Sequence, residues 1–407
     1  MGADATPSAK LMSDLKSIDP VRDWIAQQGL ESDDFSELLG GFCERLVGVG
    51  VQLWRGHISL PMLHPSYVAV SYSWRDGQGV ELDQYPHRLS ETDGWLRSPL
   101  RPLVEQRLPR MRCRLELDEG LDKYPFLAGL RDEGATDWLG RLIGFGGETQ
   151  PAGIPGMVTS WTSKRSGGFT DAELDVLERL LPYFALAVYR IAVLQVAVDL
   201  MDAYVGAEPG KRILSGQIQQ GTAQRLSAAI MIADLRGFTQ LADRTPAEDL
   251  VAGLNDYLGA VTDAVQAQGG QVLKFLGDGL LAVFPMEDCS AEQACDAALA
   301  ATEAALATNA AINRDRQSSD APQLQLDVAL HLGEVMYGNV GSKRRLDFTV
   351  IGPAVNEASR IESLCQSLGC HVVTSATFAD ACPRALRSLG QHTLRGVADT
   401  RELFTLP

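Results

Sequence analysis

Apolar residues between positions 35 and 46 recur at steps of three and four, which is the spacing of one helix face. They are Phe35, Leu38, Leu39, Phe42 and Leu46. Ser32 stands before them as the expected N-cap. The pattern predicts a helix that opens a first folded domain over residues 31–170. Residues 1–30 are more polar and are predicted to form a helical lead-in.

Runs rich in β-branched and aromatic residues follow that helix. Residues 66–74 and 80–85 are separated by a turn that contains two glycines, and this combination favours a β-hairpin. Two further strands are predicted at 138–144 and 155–163. The first domain is therefore predicted to be an α/β domain.

A long helix is predicted over residues 171–204. Thr170 and Glu173 have the spacing of a capping box. Apolar residues then step alternately by three and four, the a/d spacing of a coiled-coil seam: Leu177, Leu180, Phe184, Ala187, Ile191, Leu194, Val198 and Met201. Two interpretations stay open. The seam pairs two chains, or the helix packs on its own domain, which Pro182 favours for the first turns because proline interrupts the helical hydrogen bonds.

The stretch 181–198 is nearly long enough to span a bilayer. Arg190 lies at its centre and would cost about 2.5–3.5 kcal/mol there. A helix of a soluble protein is therefore predicted, without membrane insertion. Residues 205–226 contain glycine, proline and several polar residues and are predicted to be a connector.

Two aspartates follow at the ends of predicted strands. An apolar run from residue 226 ends in Asp234, and a hairpin over 271–284 carries Asp278 at its tip. Carboxylates on neighbouring strand ends can share a pair of Mg²⁺ ions whose other positions go to substrate phosphates. On its own, Asp278 before glycine is more typical of a turn former.

A third segment, residues 347–360, reads as a strand, a Gly-Pro helix start and a helix. That helix presents Asn356 and Arg360 four residues apart on one face. Such a face can hold a phosphate, although the same spacing is common on solvated helices. Helices over 246–268, 290–314 and 353–368 are expected to cover one face of a mainly antiparallel sheet.

Composition and charge restrict what the chain can bind. Of 407 residues, 45% are hydrophobic, and 36 basic against 52 acidic residues give a net charge of −16. The negative charge argues against nucleic acid as a partner. Seven cysteines without paired spacing fit a reducing cytoplasm, and no secretory leader is expected.

Together, Asp234, Asp278, Asn356 and Arg360 resemble the catalytic domain of class III nucleotidyl cyclases, over residues 227–407. The resemblance implies an α+β chain with a ferredoxin-like catalytic fold and two divalent cations, Mg²⁺ or Mn²⁺. The implied metal contacts are Asp234, Leu235 and Asp278. The implied substrate contacts are Lys274 and Thr349 for the base, Asn356 for the ribose, Arg360 for the reacting phosphorus, and Gly237, Phe238, Thr239 and Arg344 for phosphates.

The same resemblance favours ATP as substrate, because the two base-reading positions carry lysine and threonine, whereas guanylyl cyclases typically carry glutamate and cysteine. The implied product is 3′,5′-cyclic AMP, made in a head-to-tail homodimer that shares each site between chains. A guanylate cyclase and a nucleotide-binding signalling module without turnover remain alternatives. A diguanylate cyclase is disfavoured, since the hairpin at 276–280 lacks a GGDEF-like sequence.

The order of elements in the first domain resembles a GAF-type sensor, which implies control of the cyclase by an unknown signal. His57 and His64 are candidate cofactor ligands and Cys113 a candidate chromophore attachment point. A lone histidine or thiol in such segments is more often structural, and no ligand is assigned to them.

Overall fold

The structure is a computed structural model that describes residues 15–146, 154–219, 221, 223–319, 321–342, 344–397 and 399–407. The chain divides into two compact units, the first ending at Leu200 and the second comprising Met201–Pro407. Each unit has its own sheet and its own hydrophobic core.

The first unit is built on a six-stranded antiparallel sheet of order β3-β2-β1-β6-β5-β4. Its strands are β1 (Arg55–Pro61), β2 (Ala69–Arg75), β3 (Gly79–Tyr85), β4 (Arg110–Arg114), β5 (Asp137–Gly144) and β6 (Gly156–Ser163). The hairpin at β2 and β3 and the last two strands were predicted, and the structure confirms them within three residues. Strands β1 and β4 were not predicted.

Helices cover both faces of this sheet. They are α1 (Asp19–Glu31), α2 (Phe35–Gly48), α3 (Asp93–Leu96), α4 (Arg101–Glu105), α5 (Pro125–Asp132) and α6 (Asp171–Tyr204). One face carries the main core, where Phe42 stacks on Phe184 and meets the edge of Trp161. The lead-in is part of this core, since Val21 and Ile25 of α1 are buried in it; residues 1–14 lie outside the described residues. Asp34, rather than Ser32, caps α2.

Helix α6 begins with the predicted capping box, in which the Glu173 amide donates to Thr170 Oγ1 and the Thr170 amide donates to Glu173. The first seam positions, from Leu177 to Ile191, are buried within the first unit, as the single-chain interpretation requires. Leu194 and Val198 are exposed. Helix α6 is long and apolar enough to cross a membrane, judged by length and composition alone. Arg190 in this helix, however, donates a hydrogen bond to Asp33 Oδ1 at 2.7 Å.

The second unit contains an eight-stranded sheet of order β13-β14-β12-β10-β7-β9-β8, with β11 also paired to β10. Neighbouring strands are antiparallel except β10 and β12. The strands are β7 (Ala223–Leu235), β8 (Gln271–Leu276), β9 (Gly279–Pro285), β10 (Leu326–Ser342), β11 (Arg345–Ile351), β12 (Val372–Ser375), β13 (Arg387–Thr393) and β14 (Thr400–Thr405).

The helices of this unit are α7 (Ala207–Leu214), α8 (Phe238–Ala242), α9 (Ala247–Ala267), α10 (Ala291–Ser318), α11 (Pro353–Glu362), α12 (Cys365–Leu368) and α13 (Ala376–Ala381). The prediction that the three main helices cover one face is wrong. Helices α9 and α10 pack on the face of Met231, whereas α11 packs on the opposite face, beside Ile230. Residues 228–233 of strand β7 are all apolar and all buried, so both faces of this part of the strand need cover.

The stretch predicted to be a connector, residues 205–226, contains regular structure. Residues 207–214 form helix α7, and strand β7 begins at Ala223. Gly206 makes the corner before α7 with a φ of +99°, and a Cβ there would lie 3.1 Å from the Val272 carbonyl oxygen. The connector therefore packs tightly against strand β8.

Candidate functional site

Asp234 and Asp278 lie together at one end of the β7–β9 pair. Asp234 is the penultimate residue of β7, and Asp278 occupies the turn between β8 and β9. Gly279 permits the approach, since a Cβ there would lie 2.7 Å from both the Ala233 carbonyl oxygen and Asp234 Oδ1. A larger residue would push the hairpin turn away from β7.

Helix α11 adds a third carboxylate, Glu362, which the sequence analysis missed. Burial raises the pKa of Glu362 to about 7, with the charge of Asp234 as the next cause. Burial and then the charge of Asp278 raise the pKa of Asp234 to about 6. We call Asp234, Asp278 and Glu362 the carboxylate cluster. Its members repel one another, so the cluster has unbalanced negative charge that a cation would neutralise.

The donor set fits divalent cations. Hard cations such as Mg²⁺ take one or two carboxylates and complete their coordination with water and substrate phosphates, and Asp234 with Asp278 supplies that pair. The side chain of Leu235 is buried, so Leu235 can contribute only its main-chain carbonyl. Among the described residues, no three or more His, Cys, Asp or Glu side chains form a ready metal site.

The chain turns sharply after β7 at Gly237, whose φ of +72° begins the short helix α8. Arg236 fixes this turn: its Nε donates to Asp327 Oδ2 at 2.8 Å and its Nη2 to Asp327 Oδ1 at 2.7 Å. Asp327 is buried and also lies 2.9 Å from His371 Nδ1. The exposed amides at Gly237 and Thr239 are thereby held next to Asp234.

A second group of polar side chains lies on β8 and β11. Lys274 Nζ is 3.2 Å from Asp347 Oδ2, and Asp347 shares a strand face with Thr349, two residues on. Thr349 is buried, and its Oγ1 has no hydrogen-bond partner among the described residues. We call these three residues the lysine cluster. Sequence reasoning found Lys274 and Thr349 but missed Asp347.

Lys274 and Asp347 of the lysine cluster line a groove of about 930 Å³ within the second unit, whereas Thr349 does not line it. Phe275 and Phe348 line it beside Lys274, and the corner over 204–209 forms another part of its wall. Aromatic and polar groups together suit a planar heterocycle. This corner was predicted from the sequence only as part of a connector. The glycine and the proline between positions 206 and 209 were the sequence signal for a turn there.

Asn356 and Arg360 are placed by α11, with Asn356 exposed and Arg360 partly exposed. Among the described residues, no hydrogen bond or ion pair links either side chain to the carboxylate cluster or to the lysine cluster. Arg344 is exposed in the turn between β10 and β11, and Lys343 beside it lies outside the described residues. One chain therefore brings together only part of the implied site.

The candidate ligands of the first unit have structural surroundings. His64 Nδ1 accepts a hydrogen bond from the Ser66 amide and its ring stacks on Tyr67. Cys113 is buried in strand β4, where burial raises the pKa of its thiol to about 11, so it is a poor nucleophile. His57 is buried in β1.

Residues 222–405 match the family model of the adenylate and guanylate cyclase catalytic domain. An adenylate cyclase of Anabaena cylindrica is 31% identical over 170 residues, 41% of this chain and 34% of its own length. Adenylate cyclase 1 of Rhizobium meliloti is 31% identical over 199 residues, 48% of this chain and 29% of its own length. The match thus spans about a third of each curated relative.

Among solved structures, the adenylyl cyclase CyaB of P. aeruginosa aligns with a TM-score of 0.43 and 25% identity, over 46% of this chain and 96% of that one. The guanylyl cyclase Cya2 aligns with a TM-score of 0.41 and 27% identity, over 45% of this chain and 92% of that one.

Proposed function

We propose that the chain is an adenylate cyclase, because residues 222–405 match the family model of the adenylate and guanylate cyclase catalytic domain. It converts ATP to 3′,5′-cyclic AMP and pyrophosphate. The observation that carries the proposal is the unbalanced carboxylate cluster beside an exposed amide turn, in the same domain as a lysine and an unpaired buried threonine. These groups suit a metal-bound triphosphate and a purine.

In this reaction the ribose 3′-oxygen attacks the α-phosphorus, its proton leaves to solvent, and pyrophosphate departs. Divalent cations, when bound, lower the pKa of the 3′-hydroxyl and neutralise the triphosphate. Asp234 and Asp278 would hold them, with the Leu235 carbonyl. The amides at Gly237 to Thr239 donate to phosphate oxygens, with Arg344 as a further phosphate contact.

Asn356 orients the ribose in this proposal, and Arg360 donates to the phosphate oxygens whose negative charge grows in the transition state. Arg360 suits that role because a guanidinium forms paired hydrogen bonds to phosphate. Neither side chain forms a hydrogen bond or an ion pair with another protein group among the described residues, so both are available to a ligand.

Adenine is favoured over guanine by the lysine cluster. Lys274 can donate to a ring nitrogen, and the unpaired Thr349 hydroxyl can accept from the exocyclic amine of adenine. Asp347, 3.2 Å from Lys274, holds the ammonium group in place. A buried polar group left unpaired by the wrong base costs about 1–3 kcal/mol, so these residues can discriminate between purines.

We propose further that the active form is a head-to-tail homodimer. Lys274 and Asp278 are four residues apart, about 13 Å along an extended strand, yet they are assigned to opposite ends of one nucleotide. Large exposed apolar side chains also cluster near the lysine cluster: Phe275, Leu276, Met336, Leu346 and Ile351. Two-fold pairing would cover them and build two sites from one surface.

The first unit is the proposed sensor, and α6 is the element that would transmit its signal. Leu194 and Val198, exposed at the end of the predicted seam, support a helix pair there. A cytoplasmic location is part of the proposal and rests on seven free cysteines.

The direct test is turnover of the full chain with ATP and with GTP, in Mg²⁺ and in Mn²⁺. Cyclic AMP as the main product supports the proposal. Cyclic GMP as the main product makes the protein a guanylate cyclase, and nucleotide binding without either product makes it a binding module.

A further inference from the structure

Buried charges in this chain are generally balanced by a partner. Each fully buried carboxylate pairs with an arginine at 2.7 Å or less: Asp137 with Arg112, Glu173 with Arg165, and Asp327 with Arg236. Arg55, in strand β1, is only 6% exposed, yet it forms no ion pair among the described residues. An isolated buried guanidinium is costly unless a counter-charge reaches it.

The groups that do contact Arg55 are neutral. Its Nη2 donates to Ser73 Oγ at 2.8 Å and its Nη1 lies 3.4 Å from Ser160 Oγ. Its guanidinium carbon lies 5.4 Å from the centre of the Phe126 ring. Burial, and then the charge of Arg75, lower the pKa of Arg55 to about 10, against the opposing charges of Tyr85, Glu133 and Asp83. The direct contacts therefore satisfy part of the guanidinium's hydrogen bonding, and no carboxylate pairs with it among the described residues.

Three further polar atoms on the same face of the sheet are buried without a partner among the described residues. They are His57 Nδ1, Trp138 Nε1 and Thr162 Oγ1. The strand register places Thr162 opposite Arg55 on one side and opposite Trp138 on the other, and His57 follows Arg55 on its own strand face. All of them can donate a hydrogen bond. We call Arg55, His57, Trp138 and Thr162 the donor cluster.

We propose that the donor cluster binds the carboxylate of a small organic acid. A guanidinium matches the two oxygens of a carboxylate, and one fixed positive charge balances one negative charge. Burial lowers the pKa of His57 well below its usual range, so His57 adds a hydrogen bond without a second positive charge. Leu103 and Val158, buried beside Trp138, would contact an apolar body of the acid.

The test is calorimetric titration of the full chain with acetate, butyrate and benzoate, and with inorganic phosphate as a dianion. We expect saturable binding of at least one acid, with benzoate tighter than acetate. Arg55→Met keeps the length of the side chain and should weaken binding at least tenfold. Arg97→Met, which changes an exposed arginine of the same unit, should leave it unchanged.

Arg55→Lys and Thr162→Val keep the test decisive if Arg55→Met fails to fold. Lysine retains the charge and loses the paired geometry, so binding should weaken without disappearing. Absence of saturable binding with every acid up to 50 mM overturns the proposal. Equal binding by wild type and the folded Arg55 variants also overturns it, as does tighter Arg55-dependent binding of phosphate than of any acid.

Discussion

The carboxylate cluster and the lysine cluster belong to the same domain but differ in charge balance. In the lysine cluster, Lys274 is paired with Asp347, and the remaining unpaired group is the neutral Thr349 hydroxyl. In the carboxylate cluster, Asp234, Asp278 and Glu362 repel one another, and no cationic group offsets the rise in the pKa of Asp234 or of Glu362. The first group suits an uncharged base, and the second suits cations with their phosphates.

Asp327 is a useful comparison, because it lies opposite Asp234 in the strand register and the charge of its carboxylate is nevertheless balanced. Arg236 and His371 both contact its carboxylate. A balanced carboxylate therefore supports the turn after β7, while its unbalanced neighbour is available to a ligand. Charge balance therefore distinguishes Asp327, a structural acid, from the carboxylates that we propose as metal ligands.

The largest expected effect is at the unbalanced carboxylates. Asp278→Asn should lower kcat/KM for cyclic AMP formation at least 100-fold, because the cations lose half of their carboxylate pair. It should not lower the melting temperature of the metal-free protein, since it removes repulsion with Asp234. Steady-state assays and thermal melts measure both quantities. Asp288→Asn, in an exposed loop, is the control, and a loss below tenfold, about 1.4 kcal/mol, contradicts the metal assignment.

Mixing of inactive chains tests whether the clusters of one nucleotide site come from two chains. Asp278→Ala and Arg360→Ala should each be inactive, whereas an equal mixture should recover about a quarter of wild-type activity. Half of the dimers are then mixed, and each mixed dimer has one intact site of two. Asp278→Ala mixed with Asp234→Ala is the matched control and should stay inactive, because each site still lacks one aspartate.

That experiment needs a readout of exchange between chains. Mixed dimers can be detected by native mass spectrometry when one variant carries a tag. If mixed dimers form and turnover does not return, each site lies within one chain and the head-to-tail proposal is wrong.

A smaller effect is expected at the lysine cluster, which should change selectivity more than rate. Lys274→Glu with Thr349→Cys should lower the ATP:GTP ratio of kcat/KM at least tenfold, since the donor and acceptor for adenine are both lost. Asp347→Asn should lower the ATP:GTP ratio of kcat/KM only a few-fold, because it removes the ion pair that holds the Lys274 ammonium group and leaves the lysine itself in place. An unchanged ratio in the double variant places base recognition elsewhere.

The sequence was sufficient to predict the elements that place Asp234, Asp278 and Arg360. An apolar strand, a hairpin and a Gly-Pro helix start each depend on local patterns, and the structure contains all three. The face covered by α11 was predicted wrongly, although the signal was present. Residues 226–233 do not alternate between apolar and polar, and such a run indicates a strand buried on both faces.

Glu362, Asp347 and Arg55 could not be predicted in the same way. The importance of each residue depends on contacts with residues that are distant in the sequence. No local spacing connects Glu362 with Asp234, or Asp347 with Lys274. Sequence patterns predict which residues share an element, whereas charge balance depends on contacts between elements. The partners of a buried charge are therefore the part that needs the structure.

The smallest expected effect concerns stability and pH at Glu362. Its pKa is raised from an ordinary 4.5 to about 7 in the folded chain, so the folded state holds this proton more tightly than the unfolded state does. The free energy of unfolding of the metal-free protein should therefore fall as pH rises from about 4.5 to 7. The Glu362→Gln variant has no ionisable group at this position, so its free energy of unfolding should not show this part of the decline with pH. Thermal melts in EDTA at pH 5 and pH 7.5 measure it.

Because Glu362 is only partly buried, we expect a contribution of about 1 kcal/mol, or roughly 2–4 °C in melting temperature for a domain of this size. Glu292→Gln, at an exposed carboxylate of α10, is the control and should follow wild type. Added Mg²⁺ should reduce the decline in wild type, since a cation stabilises the ionised carboxylate cluster. Identical pH slopes for wild type and Glu362→Gln would mean that Glu362 does not share the unbalanced charge of Asp234 and Asp278.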